Sequence, residues 1–336
     1  MDKLLTIAVP AYNAAAFLDK CLSSFISPVM DAIEVIVVND GSTDETPDIA
    51  ARFVAAYPDT YRLVNKENGG HGSGINVAAG LAKGKYFRVV DADDWVITQN
   101  LPDYLDALEK TDADAVLTHF HTIDIRTEER LAYINRGAPY DEELTPETIL
   151  PIMKRAACWF SIHTLAYRTA FYQKLGLRLS EKIFYEDTEY AVLPFAQCAK
   201  LRLLDMFLYE YRIGDVAQSV SIENYSKRYT HLEQVLKRLV GAYAEPEGCS
   251  AAADAFLEAR IAKLLVTYEK VLLIYLPDKK KARDEAKSIR AYIATIKPAI
   301  LHKTKLKHFG LLCANMLKVS PQRTEALYAV ITKRRK

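Results

Sequence analysis

Tyr86-Phe87-Arg88-Val89-Val90-Asp91-Ala92-Asp93-Asp94-Trp95 is the stretch that decides how this chain folds. Apart from Arg88, residues 86–90 are apolar, the pattern of a strand buried on both faces. Three carboxylates then crowd into four positions. Like charges this close repel unless a cation or hydrogen-bond donors compensate. A buried strand ending on such a cluster predicts a site at its carboxyl end, where open α/β sheets bind their ligands. Oxygen-rich groups of this kind suit Mg²⁺ or Mn²⁺, which hold one or two carboxylates together with substrate phosphates. An isolated D-x-D is more simply a solvated turn whose Asp caps the next helix. The company this one keeps decides against that.

Working outward from it, residues 4–9, 34–38, 61–64 and 115–125 have strand character, and 15–25, 46–57, 71–82 and 101–110 have helical spacing. Strands that alternate with helices of about ten residues predict a parallel sheet with helices on both faces. The polar clusters fall at strand ends: Asn13, Asn39-Asp40 and Asp91-Ala92-Asp93-Asp94. Residues 126–225 are less regular, with strand character at 162–167 and 201–211 and a helix expected over 186–199. Beyond 225 the strand signals fade, and 229–243, 251–276 and 278–296 have helical spacing. The expected organisation is an α/β domain over 1–225, in halves of 1–125 and 126–225, followed by a helical appendage over 226–336.

Charge divides the same way. Residues 1–225 carry 21 Lys/Arg against 33 Asp/Glu, and residues 226–336 carry 23 against 10. The net charge of +1 over 336 residues conceals this. Half of the residues are apolar and 26% charged, so wholesale disorder is excluded. Cys21, Cys158, Cys198, Cys249 and Cys313 are scattered without a C-x-x-C pair, which argues against a disulfide framework or zinc site and fits a reducing cytoplasm. The first residues lack the pattern of a signal peptide. No apolar run reaches the length of about 18 residues needed to suggest a transmembrane helix.

Two further segments carry chemistry. Val38-Asn39-Asp40-Gly41-Ser42-Thr43-Asp44 closes a strand; capping of the following helix accounts for one of its Asp residues better than for both. Asn68-Gly69-Gly70-His71-Gly72-Ser73-Gly74 is a glycine-rich turn opening a helix, where backbone N–H groups attract phosphate. It has neither the Gly-Lys-Ser/Thr of a P-loop nor the placement of a dinucleotide fingerprint. His71 reads here as a structural or capping residue.

Taken in order, Val9-Pro10-Ala11-Tyr12-Asn13, Val38 to Asp44, Asn68-Gly69-Gly70 with Asn76, and Asp91-Ala92-Asp93-Asp94 resemble the family 2 glycosyltransferases over about residues 1–220. These are inverting enzymes of GT-A fold that use nucleotide sugars and a divalent metal. The resemblance implies a Rossmann-like, mostly parallel sheet flanked by helices. It implies that Pro10, Ala11, Tyr12 and Asn13 line a nucleotide pocket, with Tyr12 on the base or ribose. Asp40 would read the base, most often uracil, and Asn68, Gly70 and Asn76 would border the nucleotide and sugar. Across Asp91-Ala92-Asp93, Asp91 would approach the ribose or a metal-bound water, and Asp93 would ligate Mn²⁺ or Mg²⁺. Asp94 and Trp95 would flank the donor sugar. The family's acidic pair at a helix start, roughly 90 residues later, is matched by Glu186-Asp187, so Asp187 would be the catalytic base. A carboxylate at a helix N-terminus also has a purely dipolar explanation; the upstream motifs favour the base. Arg212, followed by Gln218-Ser219, resembles a segment that closes over the diphosphate. The Gln-x-x-Arg-Trp of processive members is absent, which implies transfer of one sugar at a time. Trp159, near Ser161 and His163, is an acceptor-stacking candidate or a core residue.

The expectation is a metal-dependent transfer from a UDP-hexose or UDP-N-acetylhexosamine to a glycan, cell-surface polymer or lipid-linked acceptor. The alternative is a nucleotide-sugar-binding scaffold without catalysis, which the presence of both Asp93 and Asp187 leaves unsupported. A nucleotidyltransferase would want a basic glycine-rich loop straight after the first strand, where this chain has Pro10 to Asn13. Residues 297–336 hold ten Lys/Arg against Glu325 alone, interleaved with Leu301, Leu306, Phe309, Leu311 and Leu312. They are a solvated basic face, an attachment to anionic lipid at the inner face of the cell membrane, or a docking surface for an acidic domain of the same or a neighbouring subunit in a homo-oligomer. Nucleic acid is not expected, because no reading module accompanies the charge.

Overall fold

The structure is a computed structural model that describes residues 2–137, 139–149, 160–214, 222–243 and 250–323. It divides into two units, one within residues 1–215 together with 251–253, the other made of the rest. The division falls ahead of the expected 225 because a helix at Ile222–Lys227 packs on the turn around residues 271–275 of the helical unit.

The first unit runs β1 (Leu5–Ala11), α1 (Ala15–Ser23), β2 (Ile33–Asp40), α2 (Thr46–Ala56), β3 (Tyr61–Lys66), α3 (His71–Leu81), β4 (Tyr86–Val89), β5 (Trp95–Val96), α4 (Leu101–Glu109), β6 (Ala115–Asp124), β7 (Arg130–Tyr133), β8 (Glu143–Leu144), β9 (Leu165–Arg168), α5 (Thr169–Lys174), α6 (Asp187–Val192) and β10 (Leu201–Ile213). The sheet order is β3-β2-β1-β4-β9-β6-β10-β5, with β7 paired to β6 and β8 to β10. Strands β3, β2, β1 and β4 are parallel, as are β6 and β10. Every residue of β1 is buried, as are all but one of β2. Leu18, Leu22 and Phe25 pack on one face of the sheet with Tyr104 and Leu105.

Four strands depart from the parallel arrangement: β5 and β8 pair antiparallel with β10, β7 with β6, and β9 with both of its neighbours. β9 enters antiparallel between β4 and β6. Its start therefore lies at the same edge as the ends of its neighbours, and residues 160–164 join the carboxylates at the tip of β4. The helix expected over 186–199 is also shorter than its spacing suggested. α6 stops at Val192, and a separate short turn at Phe195–Gln197 follows Pro194. Proline has no N–H for the helical ladder; the Tyr167 hydroxyl donates instead to the carbonyls of Tyr190 (3.0 Å) and Ala191 (3.3 Å).

The second unit is helical: α7 (Ile222–Lys227), α8 (Tyr229–Gly241), α9 (Ala251–Lys270), a wide turn at Val271–Tyr275, α10 (Lys279–Ile296) and α11 (Pro298–Met316). Leu232, Leu236, Ile261, Leu265, Leu272, Ile289 and Ile293 are buried in it. Asp278 caps α10 by accepting from Lys280 N (3.0 Å) and Lys281 N (2.9 Å). The buried Glu269 pairs with Arg290 at 3.1 Å. Among the described residues no helix is long and apolar enough to cross a membrane.

Candidate active site

The tips of β1 and β2 are latched together by side chains. Asn13 takes a left-handed backbone (φ 49°), and its Oδ1 accepts from Thr43 N at 2.9 Å, while Asn13 N donates to Ser42 Oγ at 3.0 Å. Asp44 caps two helices, accepting from Ala15 N and Thr46 N, each at 3.0 Å. Asn13 thus shapes the turn through its Oδ1 and its backbone N–H. Tyr12, beside it, is 55% exposed at the strand tip. Pro10 and Ala11 are buried, and Pro10 packs so closely on Gly74 that a Cβ there would come within 2.8 Å of it.

Asp40, at the end of β2, is buried and holds the glycine-rich turn. Its Oδ1 meets Lys66 Nζ at 2.6 Å and accepts from Gly69 N at 2.9 Å; its Oδ2 accepts from Gly70 N at 2.7 Å. Asn68 Nδ2 donates to the Asp40 carbonyl at 2.9 Å. Beyond the turn, α3 faces the segment 179–186 rather than open space. Gly70 (φ 85°) leans on the Lys182 backbone, and a Cβ on Gly72 would lie 2.4 Å from the Ser180 carbonyl and 2.8 Å from Glu186 Cγ. Asn76 is fully engaged there: it accepts from Leu179 N (2.7 Å) and donates to Leu179 O (2.9 Å) and Glu181 Oε1 (3.1 Å). Of the residues expected to border the nucleotide and sugar, Gly70 and Asn76 meet the loop that leads to Asp187, and Asn68 is bonded to the end of β2.

The three carboxylates after β4 have three different surroundings. Asp94 is buried and structural, accepting from the Tyr209 hydroxyl at 2.6 Å and from Arg212 N at 2.7 Å. Burial, then the charges of Asp91 and Asp93, push its pKa well up. Asp93 is more open, its side chain 38% exposed and 3.8 Å from Arg212 Nη1. Its pKa is also raised, by burial and then by Asp91. Asp91 gives one oxygen to His71 Nε2 at 2.8 Å, while His71 Nδ1 lies 2.7 Å from Glu186 Oε1. Burial works against charge on both partners, but the pairing outweighs it: the His71 pKa stands well above its ordinary value and that of Asp91 below. Ala92 is buried between the carboxylates. Trp95 lies under the Lys20 ammonium, 3.1 Å from its ring centre.

Asp187 opens α6, next to the buried Glu186. Burial first, then the Glu186 charge, raise its pKa to about 6, with Asp91 and His71 among its other electrostatic neighbours. Tyr211 feels the charges of Asp94, Asp91, Asp93 and Asp187 together. The carboxylates after β4 and the acidic pair that opens α6 thus lie together, joined through His71.

A divalent ion fits this arrangement. Ligand atoms of Asp91, Asp94 and His163 all lie within 4.8 Å of one another. Asp94 in this group is already held by Tyr209 and Arg212, and Asp91 by His71; Asp93 is the most open of the three carboxylates. His163 brings a ring nitrogen, Nδ1, that is buried without a hydrogen-bond partner. Burial lowers the His163 pKa to about 4, leaving a neutral imidazole, the form that binds metals. The ring is stacked on Tyr211 with centres 4.1 Å apart. Its backbone carbonyl accepts from the fully buried Arg88, which also reaches Thr118 Oγ1 (3.4 Å) and the Tyr104 hydroxyl (3.5 Å).

In the sequence alone His71 reads as a cap and His163 only as a neighbour of Trp159, and neither Lys66 nor Tyr209 stands out. The carboxylate cluster was itself a signal that cationic or donating partners were needed, but nothing local said which. Trp159, Gln218 and Ser219 lie outside the described residues.

Fold and strand tips together define an α/β domain of GT-A type. Residues 6–175 match the family model Glycosyl transferase family 2, and the chain belongs to that family. It is 28% identical over 217 residues to the uncharacterized glycosyltransferase EpsJ of Bacillus subtilis, covering 63% of this chain and 62% of EpsJ, so it spans less than two thirds of that relative. It is 25% identical over 228 residues to the glycosyltransferase GlyG of Streptococcus pneumoniae, covering 65% and 74%. The crystal structure of S. aureus TarS 1-349 superposes with a TM-score of 0.67 at 18% identity, covering 93% of this chain and 90% of that one. Its complex with UDP-GlcNAc superposes at 0.65 and 19%. At that identity the likeness shows a shared fold.

Proposed function

We propose that this chain is a metal-dependent, inverting glycosyltransferase that moves one sugar from a UDP-sugar, a hexose or N-acetylhexosamine, to a hydroxyl of a glycan or lipid-linked acceptor. The observation that carries the proposal is the Asp91–His71–Glu186 bridge, which ties the carboxylates at the β4 tip to the acidic pair that opens α6. A donor and an acceptor meeting between them would have a cation site on one side and a base on the other.

In this proposal the exposed Tyr12 ring stacks on the base or ribose, and Asp40 with Asn68 forms the floor beneath the base. Asp93 and Asp91 hold Mn²⁺ or Mg²⁺, with His163 at hand. Such an ion, when bound, neutralises charge developing on the departing diphosphate. Arg212 pairs with a diphosphate oxygen. Asp187 accepts the proton of the acceptor hydroxyl as its oxygen bonds to the anomeric carbon and the carbon–oxygen bond to the diphosphate breaks. With a pKa of about 6 it is ionised at neutral pH and more basic than a solvated Asp.

Thermal unfolding with UDP-, GDP- and dTDP-sugars, each with and without Mn²⁺, tests this. Mass action makes a specific donor raise Tm. A Mn²⁺-dependent rise with UDP-sugars alone is expected. A rise confined to GDP- or dTDP-sugars overturns the donor assignment, and none with any donor overturns the proposal.

A further inference from the structure

We infer that the outer face of α11 seats the protein on an anionic phospholipid bilayer. This helix is apolar on two faces. Ile300, Thr304, Leu311 and Asn315 are buried inside the helical unit, where Asn315 donates to the Leu273 carbonyl (2.7 Å) and accepts from Arg283 (2.8 Å). The core needs nothing from the other side. Yet Leu306 is 86% exposed there, Phe309 66%, Met316 68% and Leu317 77%. Residues 306, 309, 313, 316 and 317 follow one another at helical steps of three and four, so they line one stripe. A contiguous exposed apolar stripe on a protein surface marks an interaction site.

Charge says what covers it. Lys305 and Lys307, both exposed, sit to either side of Leu306, and Lys303 is exposed one turn earlier. Lys318 and Arg323 follow the helix. No Asp or Glu occurs from residue 286 to residue 324. Lys303 already pairs with Glu258 at 2.9 Å, but a second copy of the same face would bring the Lys305 and Lys307 rows together with no carboxylate from α11 itself to pair them, because a two-fold interface is self-complementary. An anionic bilayer supplies both missing partners: hydrocarbon for the stripe and phosphate charge for its flanks. The surface lies in the helical unit, so the inference stands independently of the transferase proposal.

Co-sedimentation of the full chain with vesicles tests it, using phosphatidylcholine alone and an equal mixture with phosphatidylglycerol. Binding to the mixture, weak binding to phosphatidylcholine, and loss in about 1 M salt are expected. The double substitution Leu306→Glu with Phe309→Glu should weaken binding to the mixture about tenfold or more, corresponding to about 1.4 kcal/mol. Lys305→Gln with Lys307→Gln should weaken it severalfold. Both variants should keep the Tm response to nucleotide sugars shown by the unaltered chain. Three results would overturn the inference: undiminished binding by the Glu variant, equal binding to both vesicle types, or no vesicle binding together with a dimer, seen by light scattering, that the Glu variant dissociates.

Discussion

The first half of the α/β unit, up to Asp124, proposed above to bind the donor, and the half after it, proposed to face the acceptor, are built differently. In the donor-side half, site residues stand at the tips of parallel strands and are held by turns about 30 residues apart in sequence, such as Asn13 on Thr43 and Asp40 on Gly70. In the acceptor-side half they hang on partners from the other side of the fold: Glu186 on His71, 115 residues away, and Leu179 on Asn76, 103 residues away. The glycine-rich helix therefore does double duty. Its first turn is gripped by Asp40, and its flank holds the loop that delivers Asp187. Hydrogen bonds tie the two halves together, so damage to α3 should be felt in residues 179–186.

The largest effect should come from removing the proposed base, Asp187. Asp187→Asn is expected to cut turnover by about 10²–10⁴-fold while leaving the nucleotide-sugar Tm shift intact; lost donor binding with turnover unchanged would exchange the roles of the two halves. The same carboxylate sets the acid limb of the pH profile. With its pKa near 6, the ionised base is lost as pH falls through that value, so log kcat/KM should fall with unit slope below about pH 6. Asp93→Ala comes next: calorimetry of UDP with and without Mn²⁺ should show the metal-dependent gain in affinity shrink about a hundredfold. A gain that survives would move the ion to Asp91 and His163.

His71→Asn probes the coupling itself. Losing charge-assisted bonds to two carboxylates should cost about 1.5–3 kcal/mol in urea unfolding. The pH dependence has a definite sign. Because the His71 pKa is raised on folding, its contribution is complete below the unfolded value of about 6.5 and is lost as pH rises through the folded one. The deficit of the variant should therefore narrow at alkaline pH; a deficit that does not change would mean a neutral imidazole in the bridge. Smallest, Asn76→Ala should cost about 1–2 kcal/mol and speed amide exchange over residues 179–186. Exchange confined to α3 would show the two halves to be independent.

Legibility followed the same divide. The donor-side elements could be read because apolar period and turn residues are local: the strand ending at Asp40 and the helix opening at His71 need only their neighbours. The acceptor-side elements were blurred. Pro194 is the local signal for the early end of α6. The strands at 130–133 and 143–144, by contrast, are too short to show a period, and the first is largely exposed.

The amino-acid sequence by itself determined the alternation of strands and helices, the carboxylates at strand tips, the glycine turn and the split between an acidic catalytic unit and a basic helical one. Each depends on residues within a few positions of one another. Only the tertiary structure decided that β9 runs antiparallel and brings His163 to Asp91, that Asp94 faces inward while Asp93 faces out, and that His71 joins the metal motif to the acidic pair. Those outcomes turn on strand direction and on contacts across more than a hundred residues, where burial and unpaired charge select partners that no local pattern names.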